Sequence, residues 1–105
     1  MLNWALRQIM IAILLATPAL AASKAEQRGK AFARANCARC HAIDRTSASP
    51  LKAAPPFRTL HQRYPIENLS EALAEGISTG HAAMPVFELA PNQIHDLLSY
   101  LKTLE

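Results

Sequence analysis

The chain has 105 residues, half of them hydrophobic, with eleven Lys or Arg against eight Asp or Glu and a formal net charge of +3. That length leaves one small domain with no repeat and no low-complexity linker, and little room for a hydrophobic core: chains this short bury only about 60% of their unfolded surface. No paired-carboxylate motif, nucleophile elbow or phosphate loop occurs, and the basic residues are not interleaved with aromatic ones, which argues against hydrolytic chemistry and against nucleic-acid binding.

Residues 1–21 read as an export leader. Arg7 gives a charged start, 9–15 an apolar run, and Ala19 and Ala21 the small residues that suit signal peptidase, so cleavage is expected after Ala21. The apolar run falls short of the about 20 residues a membrane span needs, so no stable membrane insertion is expected. No cysteine stands near the cleavage site, and nothing points to a lipid anchor. The expected mature chain, 22–105, is periplasmic.

Residues 24–38 form the first predicted helix. Ala31, Phe32 and Ala35 give it a narrow apolar face, and Gly29 lies in its middle. A glycine there costs about 1 kcal/mol against alanine, which points to close approach by another helix. The helix runs into Cys37-Ala38-Arg39-Cys40-His41, which holds both cysteines of the chain.

Cys-x-x-Cys-His is the spacing of covalent c-type haem attachment. Two thiols three residues apart on a helical turn can each form a thioether to one haem vinyl group, and the next residue presents its imidazole to the iron. The competing readings are a thiol–disulfide redox pair, half a zinc site and a structural disulfide. Zinc lacks a second ligand pair at usable spacing, and no βαβ pattern frames a thioredoxin-type site. An exported chain with two cysteines would otherwise most simply form a disulfide, and His41 tips the reading to haem. A flat, mostly apolar haem would also supply the missing core.

A polar loop over 42–54, carrying Ser47, Ser49 and Pro50, leads into Pro55-Pro56-Phe57. Residues 65–76 read as a second helix, with Pro65 near its first turn, Glu67 complementing the dipole and Gly76 as its stop. Residues 77–90 are irregular, broken by Gly80 and Pro85. The last helix opens at Pro91 and sets Ile94, Leu97, Leu98, Leu101 and Leu104 on one buried stripe, flanked by Tyr100, which could meet Gly29. No alternating segment is long enough to argue for strands, so the fold class is all-α.

A six-coordinate haem needs a second axial ligand, for which the candidates are Met84, His61, His81 and His95. Met84 precedes Pro85 in an irregular stretch between two helices, where a loop can lay a thioether over the open haem face. Met1 and Met10 leave with the leader, so Met84 is the one methionine of the mature chain; its alternative reading is an ordinary core methionine. His95 reads as a surface residue of the last helix, and His61 and His81 as loop residues facing solvent or a propionate. Ser78 and Thr79 read as hydrogen-bonding support rather than nucleophiles.

These residues closely resemble the class I cytochromes c of bacterial periplasms, over essentially the whole mature chain. The resemblance rests on Cys37 to His41, Gly29 eight residues before Cys37, Pro55 with Phe57 and Leu60, the Met84-Pro85 pair, and Leu97 with Tyr100. It implies a small cytochrome c fold of about three to four helices wrapped around one covalently bound haem c. It further implies Cys37 and Cys40 as thioether anchors, His41 and Met84 as axial iron ligands, Pro55 as acceptor of a hydrogen bond from His41, and Gly29 packed on Tyr100. Such a protein carries single electrons and is not an enzyme; His/Met ligation would raise its potential relative to bis-histidine ligation. Two positions depart from the pattern. The usual Gly-Pro pair is Ala54-Pro55, followed by a second proline, which leaves open which carbonyl meets His41. Phe32 sits five residues before Cys37, one position earlier than the aromatic residue of many members.

Charge is unevenly spread. Residues 22–63 hold nine Lys or Arg against Glu26 and Asp44, whereas 64–105 hold Lys102 against six acids, about +7 against −5. Arg39, Arg45, Lys52 and Arg58 are expected to steer the haem edge towards an acidic redox partner, the alternative being a solvated surface that offsets the haem propionates. A monomer is expected. Other functional readings are a dedicated haem subunit of a dehydrogenase, and a ligand-binding haem protein, a gas sensor or weak peroxidase, with Met84 displaced or absent from the iron. A thiol–disulfide oxidoreductase is more distant.

Overall fold

The computed structural model describes residues 22–76 and 83–105; the expected leader, and the segment 77–82 with Ser78, Thr79, Gly80 and His81, lie outside the described residues. The first helix, α1 (Lys24–Asn36), starts at a reciprocal cap. The Ser23 hydroxyl accepts from the Glu26 N–H at 3.1 Å and the Glu26 carboxylate accepts from the Ser23 N–H at 3.2 Å, which satisfies two of the free donors at the helix start. The helix ends two residues earlier than expected. The N–H groups of Cys37 and Ala38 both turn back to the Ala33 carbonyl, at 2.8 and 3.0 Å, and close the last turn before the cysteine motif.

After the loop, a 3-10 helix at Phe57–Gln62 stands where no element was expected, and it carries His61. Pro56 cannot extend a helix backwards, and its carbonyl takes both the Thr59 N–H at 3.0 Å and the Thr59 hydroxyl at 2.7 Å. The helix expected over 65–76 is divided. A 3-10 turn, Ile66–Asn68, closes on the Pro65 carbonyl through the Asn68 N–H at 3.0 Å, and α2 (Leu69–Glu75) follows. Glu67 therefore sits outside α2, where it pairs with Lys102 instead of facing the start of that helix. Gly76 ends α2 with a φ of 83°, a backbone conformation in which a side chain would be strained.

The last helix, α3 (Pro91–Lys102), opens on Pro91, and the Gln93 side chain accepts from the Ala90 N–H at 3.0 Å. Ile94, Leu97 and Leu101 are buried, as is Leu104 just beyond the helix, while Leu98 is half-buried. His95 is exposed, as expected. α3 crosses α1 at Gly29: a Cβ placed there would collide with the Asp96 carbonyl and lie 2.8 Å from Cβ of Tyr100. Only a residue without a side chain lets the two backbones meet this closely. The core joins Ala33 of α1, Phe57 and Leu60 of the 3-10 helix, Ile66, and Leu97, Tyr100, Leu101 and Leu104. Phe32, the displaced aromatic, packs against it half-buried. Among the described residues there is no strand, and the architecture is the all-α one expected.

Candidate haem site

The motif residues come off the end of α1 as one further turn. The Cys37 carbonyl accepts from the N–H groups of both Cys40 and His41, at 3.2 and 2.9 Å, so the two thiols and the imidazole are displayed within a single coil of backbone. Both cysteines are free, half-buried thiols, and Cys37 packs against the core. Burial pushes the Cys37 thiol up to about 11. That is the reverse of a redox-active Cys-x-x-Cys, whose attacking thiol is lowered to about 3.5–7.5 to become a nucleophile.

Fourteen residues on, the chain returns over the imidazole. His41 Nδ1 lies 2.8 Å from the Pro55 carbonyl oxygen. A carbonyl only accepts, so Nδ1 carries the ring proton and the lone pair belongs to Nε2. The Pro55 carbonyl, and not that of Pro56, meets His41, because the Pro56 carbonyl is already taken by Thr59. Phe57, buried, lies against the same imidazole, with ring centroids 4.9 Å apart and planes tilted by 38°. The Phe57 N–H donates to the Ala42 carbonyl at 2.9 Å and ties the returning segment to the residue after His41.

The loop between these segments is stitched to itself and to α3. The Asp44 carboxylate accepts from the N–H groups of Thr46 and Ser47, at 3.0 and 2.7 Å, and from the Ser47 hydroxyl at 2.5 Å. Led by that hydroxyl, these donors hold the Asp44 carboxyl at about 2. Arg58 donates to the Ser47 carbonyl at 2.7 Å, and Arg45 to the Thr103 carbonyl at the end of α3. The Tyr100 hydroxyl donates to the Ile43 carbonyl at 2.6 Å. Of the four cations expected to steer a partner, Arg45 and Arg58 are thus engaged within the chain. Arg39 and Lys52 are exposed and make no hydrogen bond among the described residues.

Met84 sits at a bend before the irregular segment 85–90. Its side chain is 37% exposed and stands outside the apolar cluster, so it is not an ordinary core methionine. The segment that carries it is anchored at its far end, where the Leu89 N–H donates to the Leu73 carbonyl of α2 at 2.8 Å. His61 lies on the 3-10 helix, and His81 is outside the described residues.

These groups fit a covalently held haem: two free thiols on one turn, an imidazole whose second nitrogen keeps its lone pair, and apolar walls from Phe57 and the core. They do not fit a bare zinc ion, since no three His, Cys, Asp or Glu side chains among the described residues stand close enough to share one. Contact of Phe57 with the imidazole is the feature that sequence reasoning missed; Phe57 was visible in the pattern, but nothing local to it indicates what its ring touches.

Comparison with known proteins agrees. The cytochrome c family model matches residues 26–105. A cytochrome c-553-like protein of Synechocystis sp. is 36% identical over 77 residues, which cover 73% of this chain and 67% of that protein. No solved structure gives a significant match. The chain belongs to the cytochrome c family, as a class I c-type cytochrome with covalently attached haem c.

Proposed function

We propose that this cytochrome is a periplasmic electron carrier, not an enzyme, in which Cys37 and Cys40 hold the haem and His41 and Met84 are the axial iron ligands. The observation that carries the reading is the hydrogen bond between His41 Nδ1 and the Pro55 carbonyl, 2.8 Å long. It fixes the imidazole tautomer with Nε2 as the donor to iron, and it raises the basicity of that nitrogen. The bound haem supplies one-electron chemistry; the chain supplies tether, ligands and surroundings.

Cys37 and Cys40 bind the cofactor to the backbone, so it cannot dissociate between donor and acceptor. His41 is presented by the same turn and oriented by Pro55. Met84 is spared from core packing and offers a soft thioether that favours the reduced iron and raises the potential. Residues 1–21 act as a cleaved leader and 22–105 are the mature domain, a monomer that meets redox partners with an acidic docking surface through Arg39 and Lys52.

Intact-mass analysis of the exported protein tests the assembly. The reading requires a chain beginning at Ala22 that carries one haem and has no thiol open to alkylation. Two alkylatable thiols, or a Cys37–Cys40 disulfide, would overturn it.

A further inference from the structure

A single hydrogen bond leaves an imidazole one freedom. The Pro55 carbonyl fixes where the Nδ1 edge of His41 points, but carbonyl oxygens accept over a broad range of angles, so the ring plane can still rock about that direction. A second contact against the ring narrows that freedom, and Phe57 makes it, with centroids 4.9 Å apart and planes tilted by 38°. We propose that Phe57 is a positioning residue that sets the rotational orientation of the His41 imidazole about its bond to iron. This rests on His41 being the iron ligand.

Three features make Phe57 able to hold another ring rather than merely touch it. Its side chain is buried in the core, 8% exposed, so its own plane is fixed by packing. Its N–H is bonded to the Ala42 carbonyl at 2.9 Å, which couples its backbone to that of His41 through one intervening peptide. The two residues before it are prolines, each with a locked φ, and the Pro56 carbonyl is held by the Thr59 hydroxyl at 2.7 Å. The hydrogen bond to Nδ1 and the ring contact are therefore delivered by one stiff Pro-Pro-Phe segment. A purely space-filling role would be met by leucine, which fills a core but offers no flat surface to hold a ring plane.

The orientation of an axial imidazole plane is read directly in the ferric haem protein, because it sets the order and spread of the hyperfine-shifted haem methyl proton resonances. Phe57→Leu is expected to fold, to carry covalent haem and to move that pattern, while Phe57→Tyr, which keeps the ring, retains the parent pattern. A Phe57→Leu protein with the parent's methyl pattern would overturn the proposal. A measurement on the unaltered protein guards against variants that fail to fold: in the reduced state, ring protons of Phe57 and His41 must show a nuclear Overhauser effect, and its absence also overturns the proposal. If instead the ferric parent lacks hyperfine-shifted His41 ring resonances, the ligand reading itself has failed, an outcome distinct from either of these.

Discussion

The Arg28 guanidinium of α1 grips the Asp96 carboxylate of α3 through two hydrogen bonds, from Nε to Oδ2 at 2.8 Å and from Nη2 to Oδ1 at 3.0 Å. The fork sits beside the crossing at which Gly29 meets the Asp96 backbone, so one short stretch of α3 receives both the closest backbone contact and a two-point charged contact from α1. It also joins the basic front half of the chain to its acidic back half.

Arg28 holds the Asp96 carboxyl below the usual carboxylate range, chiefly through this hydrogen bonding. The folded value lies below the unfolded one of about 3.9, so the pair's stabilisation is complete above that pH and is lost as the pH falls through the folded value. Asp96→Asn is expected to lower the denaturation midpoint at about pH 7, and by progressively less as the pH falls below the unfolded value of about 3.9. A loss measured by chemical denaturation that does not shrink as the pH falls would count against the pair.

Gly29→Ala tests the helix crossing. The added methyl would meet the Asp96 carbonyl and Cβ of Tyr100, neither of which is the free end of a flexible side chain. The helices must separate, at a cost of about 1–3 kcal/mol or more as for other overpacked cores. A guanidinium unfolding curve with an unchanged midpoint would contradict this packing of α1 on α3.

Steering of a partner is expected to be divided unequally among Arg39, Arg45, Lys52 and Arg58. Arg45, itself exposed, and Arg58 are held by backbone carbonyls, whereas Arg39 and Lys52 are exposed and make no hydrogen bond among the described residues. Reversing Arg39 and Lys52 to Glu is expected to slow electron transfer to an anionic partner and to flatten its dependence on ionic strength. Stopped-flow rates across a salt series provide the check; a rate in the parent that ignores salt would exclude steering.

Tyr100→Phe removes the donor to the Ile43 carbonyl, at an expected cost of about 1 kcal/mol. The same change should speed amide exchange in the loop 42–54, which loses one of its ties to α3. Unchanged exchange there would show that Arg45 and the Asp44 turn hold the loop without Tyr100.

What could be read from the chain alone divides by range. The haem motif is local, five consecutive residues with chemically fixed spacing, and the burial pattern of α3 follows from its 3.6-residue period. Gly29 announced a close approach because a mid-helix glycine otherwise only costs stability. Helix boundaries were less legible: Pro65 favoured helix entry, but a 3-10 turn closed on its carbonyl first and pushed the α-helical start to Leu69. The Arg28–Asp96 fork, the Phe57 contact on His41 and the Arg45 bond to Thr103 link residues far apart in sequence. No periodicity or spacing encodes them, since each depends on where the folded helices bring the side chains.

Whether Met84 would be the second iron ligand beside His41 is read from the optical spectrum of the ferric protein set beside that of Met84→Ala. With Met84 on the iron, the parent shows a weak far-red charge-transfer band from thioether bound to ferric iron, the variant loses it, and the potential falls with it. A parent without that band whose spectrum shifts readily with cyanide, or a variant that keeps the band, would contradict that ligation.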